Sequence, residues 1–275
     1  MFRSSLAATV VSGLGILSLG TSAAYPAGPS GLIAHRAVYD LELKDASDRS
    51  GISGMVGRMV YEFDGSDCTG FTTNFRFVTK IDTGDSTRVS DQQTTTFEDL
   101  GKRLFRFETK SYTDNQLDKD VRGAASDDQK GIKVDLTQPN NKQVQIIESR
   151  FPTEHMLDII HNAKLGKNFF EAQVFDGSDD GDKPLIATTV VGKEQTPGKD
   201  DPDADKAGAF ATTPFWPVTV AYFNEKSTGD ATPVYRMSFK LYENGITRDL
   251  TMDYGDFVLT GKLTKLEVLN TKACQ

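Results

Sequence analysis

The chain has 275 residues, a formal net charge of -8, 37% hydrophobic residues and only two cysteines. An acidic chain without a basic cluster repels polyanions, which excludes nucleic acid as a partner and disfavours a bare anionic membrane surface. Its length suits one large domain or two small ones.

The N-terminus reads "MFRSSLAATVVSGLGILSLGTSAAYPAGPS": one positive charge at Arg3, an apolar stretch from Leu6 to Leu19, then small residues, with Ser22 and Ala24 placed to suit signal peptidase. This is the pattern of a Sec-type signal peptide over residues 1–24. The alternative, a retained anchor, meets an apolar run too short to span a bilayer comfortably. No cysteine lies near the cleavage region to be acylated, and no later segment approaches a transmembrane run. The mature chain, residues 25–275, is expected to be a soluble, exported single domain.

From His35 onward the chain is written in period two. "FTTNFRFVTKI" places Phe71, Thr73, Phe75, Phe77, Thr79 and Ile81 on one face and Thr72, Asn74, Arg76 and Lys80 on the other, the signature of a half-buried strand. Comparable runs precede it ("HRAVYDLELK", "GMVGRMVYEF") and follow it ("RLFRFETKS", "GIKVDLT", "KQVQIIE", "NFFEAQVF", "PLIATTVVG", "FWPVTVAYF", "VYRMSFKLYE", "GITRDLTMDY", "FVLTGKLTKLEVL"). Turn signals such as "DGSD" at 64, "DTGD" at 82, "ENG" at 243 and "DYGD" at 253 separate them. So many strands have to curl or close to hide their edges. The expected fold is all-β: a long antiparallel meander curled into a barrel-like sheet.

One segment breaks the pattern. "FPTEHMLDIIHNAKLGKN" offers Pro152 and Thr153 as a start, an apolar set at Met156, Leu157, Ile159, Ile160 and Ala163, and Gly166 as a stop. It predicts one helix, packed against the inner face of the curled sheet. The polar, Gly- and Pro-containing stretch 192–210 reads as a mobile surface loop.

In an oxidising compartment an even, minimal set of two cysteines is most simply one structural disulfide, here Cys68 to Cys274. Closing so long a loop would remove unfolded-state entropy worth up to about 5 kcal/mol. The other reading, two free thiols in a redox site, lacks a C-x-x-C and any neighbour that would lower a thiol pKa.

No catalytic, cofactor or metal site is expected. The three histidines are His35, His155 and His161; the latter two fall about 120° apart on a helix and share no metal-binding edge. His155 and Asp158 at i and i+3 lack a third ligand, and H-E-x-x-H is absent. Asp176, Ser178, Asp180, Gly181 and Asp182 match the first half of a calcium loop, but Ala187 stands where the bidentate glutamate belongs, so a solvated hairpin turn is the expectation. Nucleophile motifs fail, and carboxylates such as Glu108, Asp120, Glu148 and Glu171 show no pairing in sequence. Trp216, between Pro214 and Pro217, either stacks on a ligand or begins a strand and packs the core. A membrane-spanning barrel would need an outward apolar band and aromatic girdles, and usually an aromatic last residue; this chain ends "KACQ".

The stretches "HRAVYDLEL", "GRMVYEFDGSDCTGFTTNFR", "FPTEHM", "VFDGSDDGDK", "FWPVTVAYF" and "ENGITRDLTMDYGDFVLTGKLTKLEVL", followed by the terminal cysteine, resemble the EipB family of Gram-negative cell-envelope integrity proteins along essentially the whole mature chain. The resemblance implies a periplasmic protein whose antiparallel sheet forms a spiral, partly closed barrel around a helix. It also implies one disulfide, carried here by Cys68 and Cys274, and a role in envelope integrity and stress resistance without established enzymatic activity. A periplasmic tetratricopeptide-repeat protein is implied as a functional associate. The leading expectation is a non-enzymatic periplasmic factor that binds another protein through the edges or rim of the sheet. The alternatives are a carrier or sensor of lipid or lipoprotein, holding an acyl chain against the aromatic face from Phe71 to Ile81, and an envelope hydrolase. A cavity beside the helix favours the carrier; a packed interior favours the scaffold.

Overall fold

A computed structural model describes residues 30–128, 130–224 and 231–270, so the expected signal segment and Cys274 lie outside the described residues. The strands, in chain order, are β1 (His35–Ala46), β2 (Gly54–Ser66), β3 (Gly70–Asp82), β4 (Thr87–Asp99), β5 (Leu104–Thr113), β6 (Gln116–Asp127), β7 (Ile132–Gln138), β8 (Lys142–Ile146), β9 (Phe169–Val174), β10 (Leu185–Val191), β11 (Trp216–Asn224), β12 (Tyr235–Leu241), β13 (Thr247–Asp253) and β14 (Phe257–Val268). Helix α1 (Pro152–Lys164) joins β8 to β9. All fourteen strands belong to one sheet, in the order β8-β7-β6-β5-β4-β3-β2-β1-β14-β13-β12-β11-β10-β9. Each neighbour pairs antiparallel. The sheet is therefore the expected curled meander, and it does not close on itself.

Its two edge strands, β8 and β9, are the two strands that α1 connects. After β8 the chain makes a short parallel bridge to β9: the Arg150 N–H donates to Gln173 O at 2.7 Å and the Phe175 N–H to Arg150 O at 2.9 Å. The chain then turns inward as α1. Pro152 takes the first helical position, where its missing N–H costs nothing, and Gly166 at φ 69° ends the helix. Ile159, Ile160 and Ala163 are buried in the main core against Ala37, Tyr39, Leu250 and other inward residues of the sheet, so the helix lies on the inner face as expected.

The alternation of β3 holds in space. Phe71 and Thr79 are buried, Phe75, Phe77 and Ile81 half-buried, and Asn74, Arg76 and Lys80 exposed. The outward face is laced with cross-strand ion pairs, among them Arg58–Asp40 at 2.8 Å, Arg76–Asp91 at 2.8 Å and Arg122–Glu108 at 2.7 Å. This charged exterior is the opposite of the apolar band a lipid-facing barrel needs. No helix among the described residues is long and apolar enough to cross a membrane.

Two strands escape the period-two reading, β4 ("TRVSDQQTTTFED") and β6 ("QLDKDVRGAASD"). On β4 the inward positions Thr94, Thr96 and Glu98 face Phe75, Thr73 and Phe71 of β3, so the inner face itself is polar. On β6 the buried positions are the small Val121, Gly123 and Ala125, and a Cβ at Gly123 would stand 2.8 Å from the Phe107 ring. This end of the sheet folds over a second core of Phe105, Phe107, Ile132, Val134, Phe151 and Phe175.

The stretch 192–210 departs from the expected mobile loop. Arg248 of β13 is fully buried and forms a two-armed ion pair with Asp201, Nη2 standing 2.8 Å from Oδ2, while its Nε donates to the Tyr242 hydroxyl at 2.7 Å. Phe215 covers the guanidinium with its ring centroid 4.9 Å away. Where β13 and β14 stop pairing, Asp203 Oδ2 accepts the orphaned N–H groups of Asp249 (3.1 Å) and Leu263 (3.0 Å). The acidic residues that made this stretch look solvated are the ones that fasten it. Burial alone would raise the Asp201 carboxyl, but hydrogen bonds from Arg248 and Lys240 outweigh it and hold the group below its ordinary range.

Removing one partner of a buried pair strands the other charge, at a cost of about 3–5 kcal/mol. Arg248→Ala is expected to destabilise the chain by that amount in urea unfolding, and Arg122→Ala, on the exposed face, by under about 1 kcal/mol.

Candidate functional site

Between α1 and the sheet lies a cavity of about 300 Å³. The helix supplies Thr153, His155, Met156 and Ile159, β1 to β3 supply residues including Tyr39, Met59 and Phe75, and β11 to β13 supply Val220, Tyr222, Phe239 and Leu250. The aromatic face expected to hold a chain thus contributes Thr73 and Phe75 to the wall. From Tyr222 a ladder of rings runs outward through Tyr235 and Tyr254 to Phe257, with centroids 6.0, 4.9 and 4.8 Å apart. Tyr254 is exposed, so the ladder links the cavity wall to the surface.

Most polar groups in the wall are already engaged. The Tyr39 hydroxyl donates to Thr247 O at 2.6 Å, and the Tyr61 hydroxyl hydrogen-bonds to Thr73. His35 Nδ1 stands 2.7 Å from Ile33 O, so that nitrogen carries the proton. His155 is 4% exposed, and its Nε2 is buried without a partner. Burial lowers both imidazoles, His155 to about 4, so both stay uncharged near neutrality. Asp176, at the edge of the wall, is half-buried, and burial raises its carboxyl. No Lys or Arg stands among the described residues of the lining.

The first turn of α1 is held from across the barrel. Glu98 of β4, 2% exposed, accepts the N–H groups of Thr153 at 2.7 Å and Glu154 at 3.0 Å, the work an N-cap side chain would do. Phe151, which occupies the N-cap, has no side chain for that task; its own N–H donates to Glu154 Oε2 at 3.0 Å. Arg103, from the β4–β5 turn, donates to Glu154 at 3.1 Å and to Ser149 O at 3.1 Å. Burial pushes the Glu98 carboxyl up to about 7 against the pull of the N–H bonds.

The other sequence candidates fall apart in space. His161 is exposed, whereas His155 is buried, as their helical spacing requires. Asp158 pairs with Arg150 at 2.7 Å. His35 and His155, unrelated in sequence, line the same cavity, which no spacing rule could reveal. In the calcium-like stretch Asp182 pairs with Lys142 at 2.7 Å and Asp180 with Lys119 at 3.6 Å. That stretch does connect β9 to β10 with Asp179 and Asp180 exposed, but its glycines are not merely turn formers. Gly177 and Gly181, both at positive φ, are buried, and a Cβ on either would stand 2.5 to 2.8 Å from the Phe107 ring. Among the described residues no group of three His, Cys, Asp or Glu could hold a metal. Glu108, Glu148 and Glu171 sit in ion pairs or hydrogen bonds outside the cavity, and Asp120 is likewise absent from its wall. Trp216 begins β11 and is buried in the main core, the second of its two readings.

A curled, unclosed antiparallel sheet wound round one helix, with an apolar cavity between them, defines a barrel-like protein with an interior site. The chain belongs to the EipB-like family, which it matches over residues 26–270. It is 49% identical over 241 residues to the cell envelope integrity protein EipB of Brucella abortus (strain 2308), covering 87% of this chain and 85% of that protein. The fold is similar to the crystal structure of a beta-barrel-like protein of a domain of unknown function from Brucella abortus. There the TM-score is 0.83 and the identity 48%, over 86% of this chain and 98% of that one.

The carboxyl of Glu98 titrates higher folded than unfolded, so the folded chain binds that proton more tightly, and its stabilising effect fades as pH rises from about 4.5 through about 7. The buried histidines act in the opposite sense, losing stability as pH falls below about 6.5. They are common to wild type and Glu98→Gln. The difference in unfolding free energy between those two chains, measured in urea at pH 5 and pH 8, is therefore expected to shift in favour of the variant at pH 8.

Proposed function

We propose that the chain is a non-enzymatic periplasmic protein that supports cell-envelope integrity and resistance to envelope stress by binding. The observation that carries the reading is the interior cavity, an apolar space between helix and sheet in which a ligand can be held. The envelope role itself comes from the name of the Brucella relative. Deleting the gene in its host is expected to sensitise cells to detergent and to a cell-wall antibiotic, with rescue by the wild-type gene. Unchanged survival of the deletion strain under both challenges would count against the role.

Protein binding at the free edge has its own support. Leu165, Phe169 and Val190 are exposed, and Phe169 and Val190 are partners across β9 and β10. The periplasmic tetratricopeptide-repeat associate is proposed to dock there. The second reading, a carrier or sensor of an apolar ligand, is favoured by the cavity itself, since a scaffold would be expected to pack its interior. Native mass spectrometry of protein taken from the periplasm is expected to show an adduct; a clean apo mass would remove the carrier.

The structural disulfide belongs to the same proposal, because it presupposes an oxidising compartment. Cys68 lies on the turn between β2 and β3. Val268, at the end of β14, pairs with His35, and His35 pairs with Phe63 of β2, so the chain leaves β14 two strands from that turn. Peptide mapping of exported protein is expected to recover Cys68 linked to Cys274, and reduction to lower stability by up to about 5 kcal/mol.

A further inference from the structure

We infer that the cavity takes a single-chain amphiphile with a protonated amine head, and that Asp176 and Tyr222 hold the amine. This rests on the carrier reading and gives it a charge and two contacts.

Asp176 follows β9 and lines the cavity. It keeps part of its surface accessible, yet burial is the largest influence on its carboxyl. The surface it keeps therefore opens onto enclosed space, and the cavity is the enclosed space it lines. Ser178 donates its N–H to Asp176 Oδ1 at 2.8 Å and brings its hydroxyl near the same carboxyl, but serine is neutral. No Lys, Arg or His among the described residues forms an ion pair with Asp176, no Lys or Arg stands in the lining, and the nearby Asp179 adds to the negative charge. Tyr222 of β11 lines the same cavity, close enough for the Asp176 charge to act on its hydroxyl. That hydroxyl has no hydrogen-bond partner among the described residues, and unlike His155 Nε2 it is not one of the unpartnered atoms sealed from water.

A carboxylate without a counter-ion in an apolar wall is costly to the fold and marks a place for a ligand. An ammonium head supplies the counter-ion, donates a charge-assisted hydrogen bond to Asp176 and favours its ionised form. The same head meets the face of the Tyr222 ring, which attracts cations. The rest of the wall suits the chain: Val220, on the same face of β11 as Tyr222, and Phe239 and Leu250 of β12 and β13.

Other heads fit less well. An anion would face Asp176 and Asp179 with no Lys or Arg in the lining. An uncharged head would leave the carboxylate without a counter-ion. A metal ion needs more ligands than one carboxylate, and no group of three His, Cys, Asp or Glu among the described residues offers them. The volume of about 300 Å³ sets the chain. At about 30 Å³ per water-sized group it holds on the order of ten such groups.

The test is calorimetric titration of the full mature oxidised chain with decylammonium, decanol and decanoate, each below its aggregation threshold. Physiological ionic strength screens the general attraction of an acidic exterior for cations. Decylammonium is expected to bind at least about 10-fold more tightly than either of the others. Asp176→Asn keeps an oxygen for the Ser178 N–H; it is expected to weaken decylammonium at least about 10-fold and to leave decanol unchanged, which also reports an intact cavity. Tyr222→Leu is expected to weaken decylammonium about 3-fold more than it weakens decanol. Decanol or decanoate binding as tightly as decylammonium, or an unchanged decylammonium affinity in Asp176→Asn, would overturn the inference and leave the carrier reading standing. Equal losses for both probes in Tyr222→Leu would overturn the Tyr222 contact. No binding by any of the three would overturn the inference, and together with a clean apo mass from periplasm it would overturn the carrier as well.

Discussion

A sheet that does not close leaves two edges, and here the chain itself has to travel from one edge to the other. The connection between β8 and β9 crosses the concave face as α1, and most other features of the molecule follow from that crossing. A helix laid inside a sheet buries its N-terminal N–H groups where water cannot satisfy them, and each unsatisfied group is costly. Glu98 meets the need from β4, which is why the polar inner face of that strand ends in a carboxylate. The polar interior of β4 and the start of α1 are two sides of one requirement.

The same crossing creates the cavity. A cylinder laid against a curved sheet does not fill the space on both sides equally. The sheet's far end curls away to build its own core around Phe105 and Phe107, sealed by the backbone of Gly177 and Gly181. On the other side, the strands from β11 to β13 leave room beside His155 and Ile159. The segment 192–210 braces that side: Asp201 pairs with the buried Arg248, and Asp203 accepts backbone N–H groups that β13 and β14 do not give each other. Two acidic side chains thus do structural work at a bulge, and the paired arginine lies deeper than any aliphatic residue of that loop.

Much of this was legible in the residues. Alternation marked twelve strands, because each presents large apolar side chains to one side, and the proline, the apolar set and Gly166 marked α1 at both ends. What stayed hidden has a common cause. β4 and β6 lack contrast between faces, the first because its inner face is polar and the second because it is small. The acidic loop resembled solvated chain because sequence shows the carboxylates and not the buried Arg248 that faces them, 47 residues away. The site followed the same rule: His35 and His155 line one cavity only because β1 and the crossing helix face each other.

Burial of His155 then becomes informative. An apolar residue of similar size would pack there without the desolvation cost of the unpartnered Nε2. Glu98 shows what a structurally required polar group looks like in this interior: two backbone donors within 3.0 Å and a position that no other side chain supplies. His155, one turn into the same helix, has neither. Two buried polar side chains thus meet the start of α1 differently, one bonded to its backbone and one with its Nε2 left without a partner. That contrast separates the group that holds the helix in place from one that does not.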